Sequence, residues 1–483
     1  MRKLNIFIII LTCGLMLTSC DDFLDVRPDS QKVESDLFST PQGFEDAIYG
    51  VYGSMQVTSL YGKELSWGLA DILSQDLKQN VTSSLALARY EYDSDDELKS
   101  RFDALWKAAY TSIGYANNVL KNLEDKDKSS LPLYNLYKGE MLAVRAMLHF
   151  DLLRFFCATD ETKQGIPYVT KYAMDTNDFK KVGEVYDLIL KDLDEAEELL
   201  KDDEKTIVFP RNNSNYYKFQ NYRETHCNYY AVLALKARVY WMRGNLAKAG
   251  EYAAKVIDSK KFPLVEPSDI KDVFAGRLSP NETIWGLYST SFQKTSKDYL
   301  YEQQSFKSYD PYFDGTGATH LLPFEGLYKL DVDAISQDYR YSNWFKLGKG
   351  YARCIKIVDT YSIEGEQTSE WEERIEGINL LHISEMYLIA SEAFLNSDYK
   401  RALSYFNEET TSRGLSPLAE GATLTKERIF NEYHKEMFGE GQVWFNMKRT
   451  YRDIQSNLDN KVITGSEELY VVPIPQDEFN YRN

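Results

Sequence analysis

Aromatic side chains mixed with polar residues are the feature of this sequence that could do chemistry. The chain of 483 residues carries 36 Tyr, 24 Phe and 7 Trp, and fifteen of these rings fall between Trp285 and Phe345. That density exceeds the 14% aromatic share of the whole chain. Because sugar rings present C–H faces that lie against aromatic rings and hydroxyls that need polar partners, such a segment favours a saccharide-binding surface.

Candidate ligand-binding residues lie in two segments, at about 56–96 and 277–350, that interrupt helical patterns. They are rings and nearby polar side chains: Trp67, Asp76, Gln79, Tyr90, Tyr92, Tyr299, Tyr301, Tyr312, Phe313. For each ring, packing in a core beneath a long loop is the competing interpretation.

Other aromatic residues are predicted to be structural. Trp285 and Tyr288 belong to the apolar run TIWGLY, which indicates a core strand. Trp106, Trp241 and Trp444 are assigned to helix packing. We expect Arg449, five residues after Trp444, to pair with Glu436 or Glu440.

Enzyme and cofactor motifs are absent from the sequence. It contains no H-E-x-x-H, G-x-S-x-G or G-x-x-x-x-G-K-[ST] pattern, and its five histidines show no metal-ligand spacing. The acidic run Asp93–Glu97 could hold calcium through oxygen ligands, although a helix cap or solvated loop is the favoured interpretation. We therefore predict no catalytic residues, no cofactor and no metal.

The first twenty residues have the pattern of an export signal. Arg2 and Lys3 precede an apolar run that ends at Leu17, and small residues lead into Cys20. This predicts a signal peptide over 1–19 and a lipidated Cys20 with a tether over 20–35, with a plain secreted protein as the alternative.

The remaining cysteines and the net charge narrow the function classes. Three cysteines remain, and we expect them to be buried thiols: Cys157, Cys227 and Cys354. At most one disulfide among them remains an alternative. The formal charge of −18, without a basic patch, excludes nucleic acid as a partner.

Helical periodicity dominates the chain. Apolar residues at steps of three and four predict four amphipathic helices: from Thr40-Pro41 to Met55, Leu105 to Leu123, Met141 to Phe156, and Glu184 to Leu200. Strand-like alternation is sparse. The sequence therefore predicts a mostly all-α fold with few short strands.

Two segments share an alanine spacing that is typical of tetratricopeptide hairpins. Ala237 lies twelve residues before Ala249, and Ala390 lies twelve before Ala402. Small residues at that interval let two antiparallel helices approach closely. Because the pairs lie far apart in sequence, long loop insertions must separate the hairpins.

Motifs along the whole chain resemble the SusD/RagB family of nutrient-binding outer-membrane lipoproteins from Bacteroidetes, which are like protein D of the starch-utilisation system. The matching segments begin at Cys20 (CDDFLDVRP), Phe38 (FSTPQGFEDAIYGVYGSM), Leu105 (LWKAAYTSIGYANNVL), Gly139 (GEMLAVRAMLHFDLLRFF), Gly377 (GINLLHISEMYLIASEAFLN), Glu432 (EYHKEMFGEGQVWFNMKR) and Val471 (VVPIPQDEF). His382 departs from the arginine that many members carry.

The resemblance implies one helical repeat domain over 36–483, exposed on the outer membrane through its lipid anchor, with Asp21 and Asp22 as an export signal. It implies capture of an oligomeric nutrient, a glycan in the first place, and delivery to a SusC/RagA-type TonB-dependent transporter. A peptide-binding member, a surface lipoprotein enzyme and a purely structural part of a transporter assembly remain alternatives.

Overall fold

The computed structural model describes residues 34–79, 82–173, 175–270, 277–302, 306–307, 327–328, 338–348, 351–358, 375–418, 421–459 and 461–480. The chain divides into two units, residues 1–44 and residues 45–483. The signal peptide, Cys20 with its tether, Tyr312 and Phe313 lie outside the described residues. The predicted domain bounds stay a prediction.

The fold is mostly α-helical, which confirms the predicted class. In chain order the helices are α1 Glu34–Leu37, α2 Pro41–Met55, α3 Leu69–Leu73, α4 Thr82–Ala88, α5 Asp96–Glu124, α6 Tyr134–Phe156, α7 Val182–Leu199, α8 Tyr229–Met242, α9 Leu246–Asp258, α10 Phe292–Ser296, α11 Tyr339–Trp344, α12 Ile383–Phe394, α13 Tyr399–Ser412, α14 Lys426–Met437, α15 Gln442–Arg449, α16 Glu467–Tyr470 and α17 Asp477–Asn480.

Short strands form two-stranded antiparallel sheets between the helices. The strands are β1 Lys78–Gln79, β2 Gln164–Pro167, β3 Phe179–Lys181, β4 Thr283–Tyr288, β5 Phe306–Lys307, β6 Phe345–Gly348, β7 Tyr351–Cys354, β8 Gly377–His382, β9 Ile454–Gln455 and β10 Val462–Ile463. The pairs are β1 with β5, β2 with β3, β4 with β8, β6 with β7 and β9 with β10.

Local sequence signals explain where the long helices begin. The Thr40 hydroxyl accepts a hydrogen bond from the Gly43 amide at 3.2 Å, and Pro41 opens α2. The Asp95 carboxylate accepts from the Leu98 amide at the start of α5. Asp95 of the acidic run is therefore a helix cap, and Asp96 and Glu97 lie in the first turn of α5; a helix cap was one of the two favoured interpretations.

The two alanine pairs belong to the predicted helical hairpins, α8 with α9 and α12 with α13. Their four alanines are fully buried: Ala237, Ala249, Ala390, Ala402. Gly244, at a φ of +85°, makes the turn between α8 and α9. The two hairpins also touch each other closely, since a Cβ on Gly250 would lie 2.8 Å from that of Ala393.

Buried ion pairs fix α8 and α15 against α12. Arg238 donates to Glu385 at 2.5 Å, and the Trp241 indole donates to Glu392 at 2.8 Å. Arg449 also donates to Glu392, at 2.7 Å. The predicted partners of Arg449, Glu436 and Glu440, are therefore wrong.

Other cations occupy the two glutamates that were predicted for Arg449. Glu436 accepts from Arg413 at 2.6 Å, and Glu440 pairs with Lys356 at 2.6 Å. These groups belong to a buried charge network in the carboxy-terminal half, in which Arg413 also holds Glu282 at 2.8 Å.

Candidate functional site

An open cleft of about 760 Å³ lies between the α2 helix, the segment before α8 and the ends of β4 and β8. We call it the tyrosine cleft. Its lining residues are Tyr49, Tyr52, Gln56, Lys218, Asn221, Tyr222, Thr225, His226, Arg277, Tyr288, Thr290, Ile375 and Glu376. Its volume falls in the range typical of small-ligand sites.

Three tyrosine rings of the cleft are open to solvent. Tyr49, Tyr222 and Tyr288 are 47%, 50% and 55% exposed. Tyr49 lies on α2, and its ring edge packs on His226 with centroids 5.6 Å apart. Because part of each ring is packed and part is open, the rings offer apolar surface at low entropy cost.

A buried polar cluster forms the floor of the cleft. Glu140, on α6, accepts hydrogen bonds from Arg223 at 2.5 Å and from the Tyr52 hydroxyl at 2.5 Å. His226 lies 3.2 Å from the same carboxylate, and Arg223 also donates to Asp203 at 2.8 Å. Charge-assisted hydrogen bonds of this kind hold a site rigidly.

This cluster lowers the pKa of the Glu140 carboxyl below its ordinary value. Burial opposes the shift, but the positive charge of Arg223, followed by the contact with His226, outweighs it. Glu140 is therefore ionised and stays a hydrogen-bond acceptor beneath the cleft.

The floor also positions the loop that carries Tyr222. The residue adopts a left-handed backbone with φ of 52°, and the next residue, Arg223, is anchored in the buried cluster. Asn228 then caps α8 and donates to the carbonyls of Arg223 and Ile284. These bonds tie the loop to the start of β4, the strand whose last residue is Tyr288.

Polar side chains complete the rim of the cleft. Arg277 lies 3.4 Å from Glu376, and the two residues form a bridge beside the β4–β8 sheet. Lys218, Asn221 and Thr290 also line the cleft. The cleft can thus bind a ligand through ring faces and through hydrogen bonds to both donors and acceptors.

Burial, followed by the charges of Glu140 and Glu45, raises the pKa of Tyr49 to about 12. Its phenol is therefore neutral across physiological pH, and the exposed ring is an uncharged hydrogen-bonding partner.

The structure brings the two predicted insertions together. Strand β1 pairs with β5, with Gln79 opposite Phe306. The rings of Trp67 and Tyr299 lie 6.0 Å apart, and Lys63 lies 5.1 Å from the Tyr299 ring. We call this contact region the insertion junction.

Exposure differs sharply between the two rings of the junction. Trp67 is 0% exposed and has no face open to a ligand. Tyr299 is 36% exposed. Trp67 therefore offers no ring face to a ligand, whereas part of Tyr299 is open to solvent, and ligand contact by Tyr299 stays a prediction.

Tyr90, Tyr92 and Asp76 are engaged within the protein. Half-buried Tyr90 donates to the Leu73 carbonyl at 2.8 Å, and buried Tyr92 donates to the Leu469 carbonyl at 2.5 Å. Buried Asp76 lies 2.5 Å from His434. Tyr92 and Asp76 are thus buried, and each satisfies a polar atom by an internal hydrogen bond.

The side chains of Gln79 and Tyr301 lie outside the described residues, although their backbones are described in β1 and a helical turn. Together with Tyr312 and Phe313, they remain predicted ligand contacts. The predicted residues whose side chains are described therefore lie at the junction or around Tyr90. None of them lines the tyrosine cleft.

Sequence reasoning missed all three exposed rings of the cleft. Tyr288 was assigned to the core, and this is wrong: Trp285 is fully buried, but Tyr288 ends β4 beyond the last covered position. Tyr49 lies outside the apolar face of α2 that contains Ile48 and Tyr52, and this position could have indicated an exposed ring. Tyr222 lies in an aromatic loop, YYKFQNY, that gave a weaker one.

The other structural aromatic assignments and the thiols are as expected. Trp106, Trp241 and Trp444 are buried. Cys157, Cys227 and Cys354 are free, buried thiols.

One group of potential metal ligands occurs among the described residues. Side-chain atoms of Glu282, His382 and Glu436 lie within 4.8 Å of one another. Arg413 pairs with both glutamates, at 2.8 Å and 2.6 Å. Because a guanidinium already neutralises these carboxylates, the group is part of the buried charge network and does not resemble a metal centre.

The fold and the cleft define a class, helical repeat proteins with a ring-lined binding cleft. Residues 22–241 match the model of the SusD-like family, described as "Starch-binding associating with outer membrane". Over this segment the chain is similar to the SusD-like family, as its motifs indicated.

Individual relatives agree with this assignment. SusD-like protein P2 of Formosa agariphila is 25% identical over 99% of this chain and 97% of that protein. A SusD superfamily protein of Bacteroides thetaiotaomicron shares the fold, with a TM-score of 0.71, 22% identity and coverage of 92% of this chain and 98% of that one. A crystal structure with xylogluco-oligosaccharide has a TM-score of 0.66 at 14% identity, covering 90% of this chain and 96% of that one.

Across the part of the chain that the structure describes, no helix is both long and apolar enough to cross a bilayer.

Proposed function

We propose that this protein captures an oligomeric glycan in the tyrosine cleft. The observation that carries the proposal is three exposed tyrosine rings around one cleft of about 760 Å³. Similarity to the SusD-like family over residues 22–241 and a shared fold with a structure that holds a xylogluco-oligosaccharide support it. The cargo binds without being chemically changed.

Recognition of a glycan follows from the mixed lining. Ring faces of Tyr222 and Tyr288 cover the apolar sides of sugar units, while Asn221, Arg277 and Glu376 exchange hydrogen bonds with hydroxyls. Several weak contacts of this kind sum to roughly micromolar affinity, about −8 kcal/mol, which permits release after capture.

Calorimetry of the chain from residue 21 onward, against xyloglucan, xylan, mannan and starch oligosaccharides and against a peptide panel, tests the proposal. A Tyr222→Ala/Tyr288→Ala variant should lose binding. A Tyr115→Ala/Tyr339→Ala variant removes two rings that are 47% and 41% exposed elsewhere, and it should bind normally. Equal affinities of the two variants would exclude the cleft, and binding of peptides alone would exclude a glycan cargo.

The insertion residues contribute a second set of ligand contacts in this proposal. The positions that we assign to it are Tyr299, Gln79, Tyr301, Tyr312 and Phe313. Trp67 and Tyr92 are left out because both side chains are buried. Substituting Tyr299 by Ala and measuring the same glycan tests this extension.

Delivery and anchoring complete the proposed function. A diacylated Cys20 holds the protein on the outer face of the outer membrane, where it passes its glycan to a TonB-dependent transporter of the SusC type. Outer-membrane association of the SusD-like family supports this placement.

Metabolic labelling with an alkyne palmitate analogue should label the wild type and not Cys20→Ser, and external protease should digest the protein on intact cells. Affinity purification from native membranes should recover the transporter. Turnover of a bound oligosaccharide by the pure protein would overturn the non-catalytic role. Normal glycan uptake by cells carrying Tyr222→Ala/Tyr288→Ala would point to a structural role in the assembly.

A further inference from the structure

A second cavity, of about 590 Å³, lies among α5, α6, α7 and the segment after β2. We call it the basic cavity. None of its lining residues lines the tyrosine cleft. Inferences about it therefore do not depend on the function proposed for the cleft.

Basic side chains outnumber acidic ones around this cavity. It is lined by five basic residues, Lys121, Lys138, Arg145, Lys171 and Lys191, and by three acidic residues, Glu124, Asp192 and Glu195. The whole chain carries a formal charge of −18, so a locally positive concave surface stands out against it. A concave wall of low dielectric concentrates the field of such charges.

The charges on the floor of the cavity are internally satisfied. Arg145 makes a bidentate pair with Asp192, with both distances 2.7 Å, and it donates to Asn117 at 3.0 Å. The Tyr168 hydroxyl donates to Asp192 at 2.5 Å. The floor is therefore neutral overall and does not neutralise the lysines at the rim of the cavity.

The rim keeps positive charge that is not neutralised within the described part of the chain. Lys138 pairs with Glu195 at 2.6 Å. Lys171 and Lys191 are exposed and form no ion pair with the described residues. Two ammonium groups are therefore available to an incoming anion.

An aromatic ring accompanies these lysines. Tyr172 is exposed beside Lys171, and the Lys121 ammonium lies 5.7 Å from the centre of its ring. Leu120, Leu142 and Leu188 add apolar surface to the lining. The cavity thus combines a ring face, apolar walls and cations, which suits a ligand that carries an anionic group on an otherwise sugar-like body.

We propose that the basic cavity binds an acidic saccharide, with Lys171 and Lys191 holding its carboxylate or sulfate and Tyr172 lying against the sugar ring. This is a second site, separate from the tyrosine cleft. It gives the protein a contact with the anionic units of a polysaccharide.

The probes are trigalacturonate, its fully methyl-esterified form and a sulfated disaccharide, titrated into the chain from residue 21 onward. The ester has the same rings without the charge. We expect an acidic probe to bind at least tenfold more tightly than the ester, and the preferred acid tells carboxylate from sulfate. Binding should weaken as salt is raised, because exposed charges are screened.

Lys171→Met/Lys191→Met should weaken acidic-probe binding at least tenfold. Lys107→Met/Lys400→Met removes the same charge at exposed positions elsewhere and should leave it unchanged. Tyr222→Ala/Tyr288→Ala should also leave it unchanged, which separates failure of this site from failure of the cleft.

A second measurement needs no variant. Trigalacturonate should protect Lys171 and Lys191, but not Lys107, from acetylation followed by mass spectrometry. Equal binding of acid and ester, no acidic binding at millimolar concentration, equal losses in both lysine variants, or no protection would each overturn the proposal.

Discussion

The tyrosine cleft and the insertion junction both gather aromatic rings, but they use them differently. In the cleft, Tyr222 and Tyr288 are about half exposed above a buried polar floor. At the junction, Trp67 is completely covered and Tyr299 is 36% exposed. Aromatic density therefore does not define a binding surface, because aromatic side chains are buried in the packing of one region and open to solvent in the other.

The difference follows from what lies beneath each group of rings. Charged hydrogen bonds of Glu140 to Arg223 and Tyr52 occupy the floor of the cleft. The junction instead encloses the large apolar surface of Trp67, whose burial stabilises the fold. The following predictions test how far this contrast holds, from the largest expected effect to the smallest.

Breaking the floor should have the largest effect. Glu140→Gln leaves the guanidinium of Arg223 buried with one carboxylate fewer, and removing one member of a buried ion pair costs about 3–5 kcal/mol. Urea unfolding should show this loss, and glycan binding should fall because the Tyr222 loop loses its anchor. Glu97→Gln, at an exposed position on α5, is the control. If Glu140→Gln lowered the free energy of unfolding by less than about 1 kcal/mol, the buried cluster would not be needed for stability.

The Glu140 charge also gives an acid dependence. Since its folded pKa is lowered, its stabilisation is present above the unfolded value and is lost as pH falls through the folded value. Wild type and Glu140→Gln should therefore converge in stability under acid conditions.

Removing the covered ring should destabilise without altering recognition. Trp67→Ala is expected to cost about 3–5 kcal/mol through a cavity at the junction. Glycan affinity of the folded fraction should stay within about twofold, since the ring has no exposed face. Tyr115→Ala, at an exposed position on α5, provides the control for stability, and a large affinity loss in Trp67→Ala would extend the site to the junction.

Removing one open ring should do the opposite. Tyr222→Ala or Tyr288→Ala is expected to weaken glycan binding about tenfold, or ~1.4 kcal/mol, the scale of one aromatic contact. Thermal unfolding should change little because each ring is about half exposed. Unchanged affinity with a lowered melting temperature would make these rings structural.

Tyr299→Ala should give a smaller effect than either cleft variant. Its ring is 36% exposed and packs beside Lys63 and Trp67, so we expect a stability loss below about 1 kcal/mol. An affinity loss of about threefold or less fits a peripheral contact. A loss as large as that of Tyr222→Ala would place the main site at the junction.

The smallest effect concerns pH. Burial, together with Glu140 and Glu45, raises the pKa of Tyr49 to about 12, so the wild-type to Tyr49→Phe affinity ratio should be constant from about pH 7 to 10. A ratio that changes below pH 10 would contradict this. Because the folded pKa is raised, Tyr49 contributes stability that is fully present below the unfolded value near 10 and is lost as pH rises through 12.

The helical architecture could be predicted closely from sequence. Ala237, Ala249, Ala390 and Ala402 indicated two hairpins, and all four lie buried in them. Helix caps could also be predicted from local sequence, as at Asp95. These features depend on residues close together in the chain, so their pattern survives in one dimension.

The binding surface could be predicted only in part. Tyr288 continues the pattern of a buried strand, yet it lies past the last covered position of β4. Arg449 has glutamates nearer in sequence than its actual partner, Glu392, on another helix. Exposure and ion pairing depend on which distant segments meet, and no local pattern carries that information.

The sequence by itself determined the class of fold, the resemblance to a family and the high aromatic share of the chain, 14%. Only the tertiary structure decided which rings are open, because burial is set by contacts between segments such as α2, the loop before α8 and β4. The floor beneath the cleft shows this most clearly: Tyr52, Glu140 and Arg223 meet there from positions 88 and 83 residues apart.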